Sequence, residues 1–221
     1  MQNRSHIEIR KLTTIAMLTA IAFLIAFIRI PTGLAFLRYE PKDIIIAISG
    51  FIYGPLAVVT MSIVLSFLEM LFLSTTGWWG MLMNIVATCT FAGTAAVIYK
   101  KWRTLGGAAV ALVAGVVVNV PVMLLWNYFV VPFYMGIPRS AAAAMLVPVF
   151  LPFNLIKGGI NSAMIMLLYK PIRTALGKSR LLPANDNAKA KASKVNWLVI
   201  IISAFLLITC VLFVLSFRDI I

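Results

Sequence analysis

DIIIAISGFIYGPLAVVTMSIVLSFLEMLFL, residues 43–73, is an apolar run of 31 residues. One membrane crossing needs about 20 residues, so this run is too long for one span and too short for two full ones. Gly54-Pro55 lies inside it. Glycine is favoured just past a helix end and proline at the first position of the next helix, so the dipeptide predicts two short helices with a sharp break between them. Basic clusters test that reading independently. They stand at Arg4, Arg10 and Lys11, at Lys100, Lys101 and Arg103, and from Lys170 to Lys194. Such clusters collect on the cytoplasmic side of membrane helices. A single crossing by residues 43–73 would turn the last two outward; two helices keep all three inward.

Working outward, clear spans run from Leu12 to Ile30, Gly80 to Tyr99, Gly106 to Val131, Met145 to Tyr169 and Val195 to Phe217. The predicted class is an all-α integral membrane protein of the cell membrane, multi-pass, with a cytoplasmic N-terminus. Six helices occupy residues 1–172, a basic cytoplasmic linker follows at 173–194, and an additional C-terminal transmembrane helix lies within 195–221. The external connections are Pro31 to Lys42, Ser74 to Trp79 and Pro132 to Ala144, the first carrying Arg38 and Lys42 against the charge rule. Composition agrees with this class. Of the 221 residues 62% are hydrophobic and 11% charged, against roughly 45–50% and 25% in soluble domains. The net charge of +13 sits between apolar runs, which suits membrane sidedness and argues against nucleic acid.

Little of the chain could do covalent chemistry. His6, the only histidine, lies in the amino-terminal tail. Gly177-Lys178-Ser179 lacks the glycine five positions earlier that a phosphate loop requires, Ile172 standing there, so the chain does not hydrolyse ATP alone. Cys89 and Cys210 have no metal-ligand spacing, and no metal, disulfide or cofactor is expected. Glu69, within a span, is either an interfacial carboxylate or a pocket acceptor.

Lys157 is different. It stands 12 residues from Met145 and 12 from Tyr169, roughly 18 Å from either end at about 1.5 Å per residue, beyond the reach of a snorkelling stem. A charge there needs an acceptor and a polar interior. Asn154 and Asn161 share its helical face, and Asn127 lies near the external end of the neighbouring helix. Asn119 and Pro121 lie nearer mid-membrane. Tyr39, in a loop with Pro31 and Pro41, could fold over the opening, and Trp78, Trp79, Trp126, Tyr128, Phe133 and Tyr134 surround it. These residues specify an outward-opening pocket for a planar, carbonyl-rich, uncharged or anionic ring. Ala16 and Ala20 form a small-xxx-small pattern, repeated at Ala22 and Ala26, that suits close helix packing inside the bundle or docking of a partner.

Five stretches in this order, AMLTA (16–20), FLRYEPKDI (36–44), GFIYGP (50–55), WNYFVVPFY (126–134) and PFNLIKGGINS (152–162), resemble the substrate-binding S components of energy-coupling factor transporters, most of all their riboflavin-binding branch. The resemblance covers residues 10 to 172. It implies a six-helix bundle that takes riboflavin or a related flavin from outside the cell, with a membrane-embedded T component and two ATPase subunits supplying coupling and energy. It also implies that Lys157, Asn154 and Asn127 contact the ring, that Tyr39 and Asp43 contribute from the loop, and that Ala16 and Ala20 dock on the T component. Asp43 fits an N-cap of the second helix equally well. The span from Val195 to Phe217 and the few polar residues around Ser66 to Leu71 depart from the family pattern.

Three other readings remain open. One is an S component for another heterocyclic vitamin or a flavin nucleotide. A second is an enzyme using Lys157 and Glu69 as base and acid. The third is a structural or regulatory membrane protein whose polar stripe only joins helices.

Overall fold

The computed structural model describes residues 2–32, 37–74, 76–179, 201, 203–205 and 207–212, with side chains from Glu8 onward. Among the described residues up to 179, six helices follow one another. They are α1 (Gln2–Ala26), α2 (Lys42–Tyr53), α3 (Pro55–Phe72), α4 (Gly77–Lys101), α5 (Leu105–Met135) and α6 (Arg139–Lys178). Five are long and apolar enough to cross a bilayer. The sixth, α2, has 12 residues, about 18 Å at 1.5 Å per residue, and cannot. Its sequence is apolar on all sides, so the helix is stable only when surrounded. Every residue from Lys42 to Ile52 is buried, and α1, α3, α4 and α6 pack around it. The break from α2 to α3 falls where the dipeptide predicts: Gly54 has φ +94°, a conformation glycine adopts without strain, and Pro55 opens α3.

The predicted ends shift at the opposite pole from the basic clusters. α1 stops at Ala26 rather than Ile30, because Ile30 and Pro31 pair antiparallel with Tyr39 and Arg38 in a two-residue ribbon, β1 (Ile30–Pro31) and β2 (Arg38–Tyr39). The expected loop 132–144 is mostly helix. α5 continues through Pro121 and Pro132 to Met135, Gly136 turns with φ +65°, and α6 begins at Arg139. α4 likewise starts at Gly77.

Two helices contain a π turn, α4 at Cys89–Gly93 and α6 at Leu146–Phe150. The second has a chemical cause. Pro152 has no N–H to give the Pro148 carbonyl, and Pro148 has none for residue 144, so the regular ladder fails there.

The expected linker 173–194 and additional helix 195–221 lie largely outside the described residues, but residues 173–178 are not linker: they continue α6, with Leu176 buried in the core. Those described between 201 and 212 are helical, and a Cβ built on Gly159 of α6 would come 3.0 Å from Cys210 Sγ.

α4 and α5 approach closely at Gly115, where a Cβ would lie 2.7 Å from the Phe91 carbonyl oxygen. Backbone cannot rotate aside as a side chain can. Gly115→Ala is therefore expected to lower stability by about 1–3 kcal/mol, the usual cost of overpacking, read by thermal unfolding in detergent.

Candidate functional site

The connections from α1 to α2, α3 to α4 and α5 to α6 all lie at one pole, and below them the helices part around a cavity of about 460 Å³. That lies inside the roughly 300–1,000 Å³ range of small-molecule sites. Lys157, Asn154 and Asn161 reach its wall from α6, Asn127 and Asn119 from α5, and Asp43 from α2. α3 adds Ser66 and Glu69, and α4 adds Asn84. Both π turns also border it, through Phe91 and Phe150. Single π turns within α-helices are frequent at functional sites.

Lys157 is held by a protein group. Its Nζ lies 2.9 Å from Asp43 Oδ2, while Asp43 Oδ1 accepts a 2.8 Å bond from Thr88 Oγ1. The acceptor that a mid-span charge requires is supplied by α2. The N-cap alternative for Asp43 fails, since Pro41 occupies that position and Asp43 lies in the first turn. A carboxylate there gains from the positive helix end as well as from Lys157. The Lys157 side chain nonetheless keeps 17% of its surface accessible, against 3% for Asp43. The ammonium therefore joins a buried ion pair and borders the cavity at once.

The asparagines divide into two kinds. Asn154 Nδ2 donates to the Phe150 carbonyl and Asn127 Nδ2 to the Met123 carbonyl, each at 2.7 Å within its own helix. These bonds fix both amides against rotation and use one of two N–H groups, leaving further hydrogen-bonding capacity in each. Asn161 instead accepts from Tyr39 Oη at 2.8 Å, tying β2 to α6.

Tyr39 is 5% exposed and is a fastening more than a swinging cover. Burial raises its phenol above the ordinary tyrosine range and the Asp43 carboxylate raises it further, so it remains a donor through neutral and mildly alkaline pH. Tyr39→Phe should cost about 1 kcal/mol in thermal stability, because Asn161 Oδ1 loses its partner, with no pH dependence between 6 and 9 traceable to residue 39.

A second polar network lies along the same wall. Lys42, 1% exposed, contacts Glu40 at 2.6 Å and also pairs with Glu69, while Arg29 reaches Glu40 at 3.3 Å. Asn84 Nδ2 donates to Glu69 Oε2 at 2.9 Å. Lys42 is thus no free external cation, which removes most of its conflict with the charge rule. Glu69 is a buried network member, not an interfacial carboxylate.

The aromatic wall differs from expectation. Of the seven rings proposed around the mouth only Tyr134 lines the cavity; Phe91, Phe150 and Phe153 supply the others. Trp79 stacks on Phe133 with centroids 6.1 Å apart, and Trp78 is 65% exposed, as an interfacial belt requires. Sequence reasoning also missed five methionines on the wall, Met70, Met81, Met83, Met123 and Met135. Thioethers are adaptable and polarisable and lie well against aromatic faces. The 11 methionines of the chain were the available signal. Ala16 and Ala20 are exposed on the outside of α1, whereas Ala22 and Ala26 are buried in the bundle.

A multi-pass α-helical membrane protein with a polar, ion-paired cavity below one pole has the build of a binding component for a small solute. The sequence profile described as "ECF transporter, substrate-specific component" matches residues 10–169, and the chain belongs to that family. It is a transport component, not an enzyme. It is 33% identical over 175 residues to the riboflavin transporter RibU of Staphylococcus aureus (strain TCH60), covering 76% of this chain and 92% of the relative. It is 27% identical over 184 residues to the riboflavin transporter FmnP of Bacillus subtilis (strain 168), covering 78% and 97%. A solved structure, described as the S component of a bacterial ECF transporter, matches with a TM-score of 0.65 at 31% identity and covers 80% of this chain and 99% of its own.

Proposed function

We propose that this S component binds riboflavin or a close flavin relative in the cavity beside Lys157. The observation that carries the reading is the ion pair at the cavity wall. Asp43 holds the Lys157 ammonium at a fixed place while part of it still borders open volume. Asn127, Asn154 and Asn161 line the same cavity, a donor and acceptor set that matches the carbonyl and ring-nitrogen edge of an isoalloxazine. Phenylalanine rings and methionine sulfurs match its apolar faces. The relatives' names point the same way. Asp43 and Tyr39 act mainly by positioning, through Lys157 and Asn161.

In this reading the N-terminus and the three basic clusters are cytoplasmic, and the cavity pole faces out. The binding unit extends to the end of α6 at Lys178, the stretch after it is a cytoplasmic linker, and 195–221 is an added membrane helix against α6, supported by the proximity of Cys210 to Gly159. A T component and two ATPase subunits drive uptake, with the exposed Ala16 and Ala20 facing the former. A flavin nucleotide is the second reading, favoured by Arg38 on the cavity wall.

Protein purified in mild detergent should quench its own tryptophan fluorescence saturably with riboflavin, and not with biotin or thiamine. Equal response to all three, or none to riboflavin, would contradict the proposal.

A further inference from the structure

Glu69 carries an imbalance that the ring-binding groups do not explain. It is 3% exposed, and its Oε2 takes both the Lys42 ammonium and the Asn84 amide. Oε1 is buried with no hydrogen-bond partner. An ionised carboxylate has about four acceptor sites, and leaving one oxygen dry and unpaired in a buried place is costly. Such an atom points to a donor that arrives from elsewhere. Glu69 lies on the wall of the same cavity as Lys157, with Ser66, Ser74 and Thr76 near it on that wall. This hydroxyl-rich stretch comes from α3 and the connection after it, whereas the lysine and most of the asparagines come from α5 and α6.

The character of the missing donor follows from the neighbours. Lys42 is already shared between Glu40 and Glu69, and Arg29 is beside Glu40. The two cations of this network, Lys42 and Arg29, are therefore taken up by carboxylates, and what is left over at Glu69 is an acceptor. An anionic group would face like charge there, and an apolar chain would leave Oε1 unsatisfied. A neutral hydroxyl donor meets the need.

Resting on the flavin reading above, we propose that Glu69 is the hydroxyl acceptor of a second subsite, which holds the polyol chain of the ligand while Lys157 and the asparagines hold its ring. Glu69 thereby decides between flavins by their side chain. A hydrogen bond to a charged acceptor is worth about tenfold or more in affinity.

The test compares riboflavin with lumiflavin, which carries a methyl group in place of the polyol, and with a flavin bearing a plain pentyl chain. The wild-type protein should bind riboflavin at least about tenfold more tightly than either. Glu69→Gln should weaken riboflavin about tenfold and leave lumiflavin within about twofold, since only the ring subsite serves the latter. Equal loss for both ligands would show a purely structural role and overturn the proposal; so would no loss for riboflavin. If the variant does not fold, the wild type alone decides, because a pentyl flavin binding as tightly as riboflavin removes any need for a hydroxyl acceptor. Tight lumiflavin binding without a riboflavin advantage defeats this subsite and leaves the flavin reading standing. Failure of the wild type to bind any of the three defeats both.

Discussion

Lys157→Met is expected to abolish flavin binding, by more than about 100-fold, and to lower stability in the same stroke. The stability loss comes from Asp43, which stays buried without its ion-pair partner once the ammonium is gone, keeping the Thr88 hydrogen bond and the field of Lys42, a cation already shared with Glu40 and Glu69. Removing one partner of a buried pair costs about 3–5 kcal/mol, because the other charge is left uncompensated, whereas removing both is often neutral. The double variant Lys157→Met with Asp43→Asn should therefore recover most of the thermal stability and none of the binding. That pattern separates a ligand site from polar groups that merely join helices. In the latter case the double variant, once stable, would support uptake as the wild type does. Thermal unfolding in detergent, followed by a riboflavin titration on the same samples, reads both quantities.

Enlarging Ala16 and Ala20 together to leucine should reduce riboflavin uptake by cells at least about tenfold while leaving the affinity of the purified protein within about twofold. Both alanines lie on the exposed face of α1, so the larger leucine side chains project away from the core of the bundle. Small residues let a second helix approach to backbone distance, and leucine prevents that approach. Ala22 and Ala26 belong to the same helix and repeat the same spacing, yet they are 0% and 1% exposed. Leucine at Ala22 should instead lower thermal stability, as overpacking does. Unchanged uptake by the Ala16 and Ala20 double variant would remove this face from the coupling step.

The helix break at Gly54-Pro55 was legible because two residues with opposite backbone requirements stand side by side in an apolar run. Lys157 was legible because its distance from either helix end forbids escape to the interface. Its partner was not. Asp43 is brought to Lys157 only by the packing of α2 against α6, and no periodicity within either segment encodes that meeting. The end of α1 was misplaced for a similar reason, since pairing of Ile30 with Tyr39 is a tertiary event that overrides local apolarity. Rings were overvalued at the mouth and methionines ignored, although an apolar side chain in a membrane helix gives no sign of whether lipid or cavity lies against it. The Lys42 network shows the converse, a charge that looked external by sequence and is neutralised inside the protein.

The most direct test of the account is an experimental structure of the protein purified with riboflavin bound. The account predicts the flavin ring in the cavity with a ring oxygen or nitrogen within hydrogen-bonding distance of Lys157 Nζ and of at least one of Asn127 and Asn154. A flavin seated elsewhere, with that cavity filled only by water or lipid, would contradict it.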